Sequence, residues 1–178
     1  MLTHNFTEFS MPTLFLCLDG FTFYDKEHKP DEKFAYKIIN TQTGKSSAKK
    51  TFSYGETHDL RDPFHIRVNS INNQSFRILL YKKGLLKDHL LAKVKIHLSD
   101  LEINRVSIDT VPMNAEKVQK LQYAANLILH LSDDDSRPYN APIGHSNLKQ
   151  VNVESSQIST NVNNQSDVVS HNLLSIGF

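Results

Sequence analysis

The residue types able to do chemistry in this sequence are few and dispersed. The single cysteine, Cys17, sits in a run of large apolar residues with no base beside it, so a buried structural thiol is expected rather than a nucleophile. One cysteine also excludes an internal disulfide and a cysteine-rich zinc site. Nine histidines are scattered, those at positions 65, 97 and 130 on the expected solvent faces of strands, and none belongs to a His/Asp/Glu cluster with metal-ligand spacing. Thr43-Gly44-Lys45-Ser46-Ser47 ends like a phosphate loop, but the first glycine of that pattern falls on Ile39, so the backbone cradle fails. No catalytic constellation and no cofactor site is expected, and the chain reads as a non-enzyme. The remaining chemistry is that of a surface: Lys82, Lys83 and Lys87 surround Leu85 and Leu86, combining positive charge with an apolar pair.

These residues need a scaffold, and the alternation of apolar and polar residues supplies one. Phe64, Ile66 and Val68 alternate with His65, Arg67 and Asn69; Ala92, Val94, Ile96 and Leu98 alternate with Lys93, Lys95, His97 and Ser99. Period two with one apolar face predicts half-buried antiparallel strands. Similar runs cover 14–18, 34–39, 48–54, 76–81 and 126–132, separated by segments rich in Asn, Asp, Gly and Lys. Seven or eight short strands predict an all-β protein, a single antiparallel β-sandwich over residues 13–133. Residues 114–125 alone look helical, with Asn114 as N-cap and Val118, Leu121 and Ala125 on one face; a short helix or an ordered loop fits there. Residues 136–178 hold eight Ser and seven Asn among 43 positions, which predicts a disordered tail, although its last six residues, from Leu173, are apolar enough for a docking motif.

Length and charge narrow the function. A chain of 178 residues allows one ordinary domain plus a tail, and a formal charge of +1 argues against a dedicated nucleic-acid binder. No apolar run reaches the 18 or so residues of a spanning helix, and Leu14 to Leu18 is too short and wrongly flanked for a signal peptide, so a reducing, cytoplasmic setting is expected with membrane contact at most peripheral.

Residues 76–101 carry a more specific pattern: a strand ending at Tyr81, a polar loop with Lys87-Asp88, a second strand of period two, then Leu98-Ser99-Asp100-Leu101. With Val111-Pro112-Met113 and the strand at 126–132, this resembles the C2 domain, the calcium- and phospholipid-binding β-sandwich of protein kinase C and synaptotagmin. The resemblance covers residues 13–133, and its second half is the distinctive part. It implies that Asp25 and Asp31 stand where the family has its two first-loop aspartates, although Glu32-Lys33 replaces the usual Pro-Tyr that follows.

In the third loop the family carries aspartates at the places held here by Lys82, Gly84 and Asp88. Calcium takes six to eight oxygen ligands, and here two carboxylates are lost and a cation is added. The resemblance therefore implies no family-type metal site, with Asp25, Asp31 and Asp88 as degenerate remnants. It also implies that Lys82, Lys83 and Lys87 lie at one tip of the sandwich, with Leu85 and Leu86 able to enter a bilayer interface, and that Lys45, Lys49 and Lys50 form a lysine patch for anionic headgroups. Two functions stay open at this point. One is a calcium-independent, monomeric module that binds anionic phospholipid surfaces peripherally; the other is a protein-interaction scaffold that never meets lipid.

Overall fold

The computed structural model describes residues 11–24, 27–115, 122–133 and 142–151. Eight strands follow in order: β1 (Thr13–Phe23), β2 (Lys33–Asn40), β3 (Lys50–Ser53), β4 (Asp62–Arg67), β5 (Ser75–Lys82), β6 (His89–His97), β7 (Val106–Ala115) and β8 (Tyr123–Ser132). All neighbours are antiparallel, in the order β3-β2-β5-β6-β7-β8-β1-β4. Between β6 and β7 only Ala92↔Ala115 and Lys93↔Asn114 pair, so the ladder folds over there into a first sheet, β4-β1-β8-β7, and a second, β3-β2-β5-β6.

Period two decides which side chains meet between the sheets. Leu14, Leu16 and Leu18 of β1 and Leu127, Leu129 and Leu131 of β8 form one inner face. Phe34, Tyr36 and Ile38 of β2 with Phe76, Ile78 and Leu80 of β5 form the other. At one end an aromatic group seals the core: the Phe23 ring lies 4.9 Å from Phe34, 5.3 Å from Tyr54 and 5.4 Å from Tyr123, edge to face in each case. Cys17 is fully buried in β1, as its neighbours imply.

A buried carboxylate crosses between the sheets on the β3/β4 side. Asp62, at the start of β4, accepts the Tyr36 hydroxyl from β2 and the Lys50 ammonium from β3. Burial, and then the Asp62 carboxylate, hold the Tyr36 hydroxyl protonated far above its usual range.

Four parts differ from the sequence expectation. Asn114 and Ala115 end β7 and Tyr123 to Ala125 begin β8, so the ends of the expected helix are strand; its centre lies outside the described residues. The strand β7 itself escapes the period-two pattern because polar Ser107 and Asp109 occupy buried positions while Ile108 is exposed. His130 is buried rather than solvent-facing, packed 6.1 Å from the Phe15 ring.

The fourth difference is residues 142–151, which fall within the stretch assigned on composition to a tail. They run as a strap along the opening between β6 and β7. Val106 N donates to Pro142 O at 3.0 Å, Asn147 N to Asp100 O at 2.9 Å and Val151 N to Thr110 O at 3.0 Å. Leu148 packs on the core, and buried Asp109 accepts the Ser146 hydroxyl at 2.8 Å and the Gln150 amide. Composition misses this because a strap that borrows another strand's edge needs only one apolar plug.

Tyr36→Phe should lower unfolding free energy by about 1–3 kcal/mol, since it strips a donor from a buried carboxylate. A urea titration reads this directly, and an unchanged midpoint would show that Asp62 does not join the sheets energetically.

Candidate functional site

Besides the β7–β8 connection, whose centre lies outside the described residues, strand direction brings three connections to the end of the sandwich sealed by Phe23. They are the β1–β2 loop, the β3–β4 connection with its 3₁₀ turn Tyr54–Glu56, and the β5–β6 loop. Glu32 joins all three. Its backbone oxygen accepts Tyr54 N at 2.8 Å, and its carboxylate accepts the Lys82 ammonium and bonds His28 Nδ1 at 2.8 Å. The His28 ring in turn lies over Phe23, Phe34 and Tyr54, with centroids 5.0 to 5.3 Å apart. The Lys82 ammonium first, and His28 after it, hold the Glu32 carboxyl down at about 2, against a usual 4.5.

The β5–β6 loop beyond Lys82 is tightly built. Gly84 is needed at its place, because any Cβ there would collide with the Lys87 carbonyl oxygen. Asp88 accepts Lys49 at 2.9 Å and Lys83 at 3.0 Å, and these two ammoniums hold its carboxyl at about 2. Lys83 N also donates to Lys33 O at 3.0 Å. With both loop ends fixed, the turn between them projects Leu85 and Leu86 outward, at 106% and 103% exposure.

The expected site residues are brought together only in part. Lys82, Lys83, Lys87, Leu85 and Leu86 share the loop tip, with Lys49 joined to it through Asp88. Lys50 is committed to Asp62 and lies 5.2 Å over the Phe64 ring. Lys45 sits in the β2–β3 connection toward the opposite end, so Lys45, Lys49 and Lys50 are not one patch. Lys87 and Lys45 have no carboxylate partner among the described residues. Asp31 is in an exposed turn, and Asp25 lies outside the described residues. Among the described residues no three His, Cys, Asp or Glu are grouped to share a metal ion. No described helix is long and apolar enough to cross a membrane.

Sequence reasoning missed Glu32, His28 and Asp62. The replacement of Pro-Tyr by Glu32-Lys33 was the available signal for the first, and the four-residue spacing from His28 to Glu32 for the second.

No protein-family model matches the chain, and no curated protein does. Solved structures do. The first C2 domain of plant extended synaptotagmin 1 superposes with a TM-score of 0.51 at 11% identity, over 69% of this chain and 95% of that domain. CC2D1B gives 0.55 at 14% identity over 71% of this chain, and human group IVD cytosolic phospholipase A2 gives 0.56 at 12% identity over 72%. The chain spans 57% of the CC2D1B chain and 18% of the phospholipase chain. The fold is therefore C2-like, an antiparallel sandwich of eight strands.

The Glu32 hub has an acid signature. A carboxyl whose folded pKa is depressed stabilises fully above its usual 4.5 and loses that contribution as pH falls through about 2. Glu32→Gln should remove this dependence, so stability followed from 4.5 to about 2 should fall less steeply in the variant than in the parent. Parallel pH curves would contradict the hub.

Proposed function

We propose that this chain is a non-catalytic, calcium-independent module that binds anionic phospholipid surfaces peripherally through its β5–β6 tip. The observation that carries this reading is the complete exposure of Leu85 and Leu86 side by side on a loop whose two ends are fixed. Two adjacent leucines in water forgo about 1.5–3 kcal/mol each that burial in an apolar phase would provide. Fixing the loop beforehand lowers the ordering entropy that insertion would otherwise require. Lys82, Lys83 and Lys87 ring the pair, which matches a shallow anchor with an electrostatic collar.

Calcium independence rests on the loop's own salt bridges. The acidic group nearest the tip, Asp88, already binds two ammoniums, and Lys82 occupies Glu32. A calcium ion entering here would first have to displace these cations. Because two collar lysines are partly neutralised, leucine insertion carries more of the affinity than the count of lysines implies, and Lys87 is the freest charge.

Co-sedimentation with phosphatidylserine and phosphatidylcholine vesicles tests the reading. The chain should bind the anionic vesicles, equally with calcium or chelator, and calcium should leave the melting temperature unchanged. Leu85→Ser with Leu86→Ser should reduce binding by about tenfold or more at every salt concentration. Lys87→Gln should reduce it about several-fold at low salt and less at high salt, as screening predicts. Absence of binding to anionic vesicles would favour the protein-interaction scaffold instead.

A further inference from the structure

A sandwich of two sheets has two lateral openings, and this chain closes one of them itself. On the β6/β7 side the extended strap 142–151 borrows backbone groups from β7 and seats Leu148 against the core. On the opposite side a groove of about 440 Å³ lies between β4 and the segment that leads into β3. Ile38, Phe64 and Ile66 give it an apolar lining, while Lys45 and Arg67 give it positive charge with His65 beside them; among the described residues no acidic side chain lines it.

The groove is held in shape by its own backbone. Asn40 N donates to Lys45 O at 2.9 Å, Gly44 N to Asn40 O at 2.9 Å, and Gln42 N to the Asn40 side chain at 3.0 Å. Gly44 takes φ +69°, which closes this turn without strain and fixes Lys45 at the mouth. Ser47 N donates to Ile38 O at 2.8 Å, and Ser47 Oγ accepts Ile38 N at 3.0 Å, which tethers the wall to β2. The other wall is β4, the last strand of its sheet, paired on one side by β1 and on the other by no strand among the described residues.

We infer that this groove binds an extended acidic segment of another protein, which adds to β4 as a further strand. The backbone groups of β4 that face away from β1 supply the hydrogen bonds of strand addition, except that Pro63 has no N–H and the Arg67 carbonyl already accepts the Gln74 amide at 3.4 Å. Alternate residues of such a segment face the apolar lining, and its carboxylates meet the cations Lys45 and Arg67, with no like charge among the described lining residues. The strap on the far side is the same solution supplied within the chain. A lipid headgroup would use the cations but leave the β4 edge unpaired. Ile38 also lies five residues along β2 from Lys33, roughly 17 Å from the tip end at about 3.3 Å per residue. The inference thus stands apart from the membrane reading.

The test uses the full chain and a short synthetic peptide alternating glutamate with valine, with its lysine counterpart as control. The acidic peptide should bind saturably and more weakly as salt rises, and amide chemical-shift changes should centre on residues 62–67 and 38–47. Lys45→Glu with Arg67→Glu, both exposed and compatible with the fold, should weaken binding by about tenfold or more. Leu85→Ser with Leu86→Ser should leave it unchanged, which separates this groove from the membrane tip. Four results would overturn the inference: equal binding of the two peptides, or none; shift changes elsewhere; a charge-reversed variant that binds like the parent; or displacement of the peptide by anionic vesicles, inorganic phosphate or a synthetic 152–178 peptide.

Discussion

Two sheets joined by only two residue pairs must be held by what lies between them. The inner-facing residues of β2, β5, β6 and β8 named above are buried, as are Leu14, Leu16 and Leu18 of β1, and hydrophobic burial is the dominant favourable force in such a fold. Burial alone leaves the lateral openings unsealed, because edge strands end in unpaired backbone and half-covered side chains. This chain treats the sides differently: the strap fills one, and Asp62 pins the other near its loop end while leaving the groove beyond it open. The position of the groove is thus a by-product of where the sandwich is fastened.

The loop end follows from a second use of the same device. Glu32, Asp62 and Asp88 each gather ammonium, imidazole or hydroxyl partners from separate elements. Exposed ion pairs are individually weak, so the worth of the Asp88 and Lys82 pairs lies chiefly in geometry, whereas the buried Asp62 also carries energy. By taking up Lys82 and Lys83, the carboxylates turn a run of lysines into a frame around two leucines. Charge that looks like an electrostatic patch in one dimension serves largely as scaffolding in three.

Much of the fold was legible in the sequence, and the failures share a cause. Runs such as Phe64 to Val68 and Ala92 to Leu98 announce themselves because one face meets the core and the other meets water. The strand β7 does not, since Asp109 is buried against the strap and Ile108 points outward, so its pattern makes sense only with residues 142–151 in place. The exposed pair Leu85 and Leu86 could be read from the loop alone. Glu32 could not, because its role depends on Lys82, fifty positions away, and on an aromatic floor under His28. Likewise Lys45 and Lys50 read as neighbours in a patch, yet strand geometry sends them to different tasks.

The placement of β1 also fixes an order of events during synthesis. Strands β2, β3, β5 and β6 pair only with one another except at the crossover, and all lie within residues 33–97, so the second sheet can assemble from a continuous early stretch of chain. The first sheet cannot. Its strand β1 leaves the ribosome before the other seven, yet its longest pairing is with β8, which joins Thr13 to Ser132. Until that partner is translated, Leu14, Leu16 and Leu18 have only β4 beside them in the sheet. Pairings so distant in sequence form slowly and leave apolar surface open to chaperones in the interval. The strap emerges later still, so closure of the β6/β7 side belongs to the end of folding.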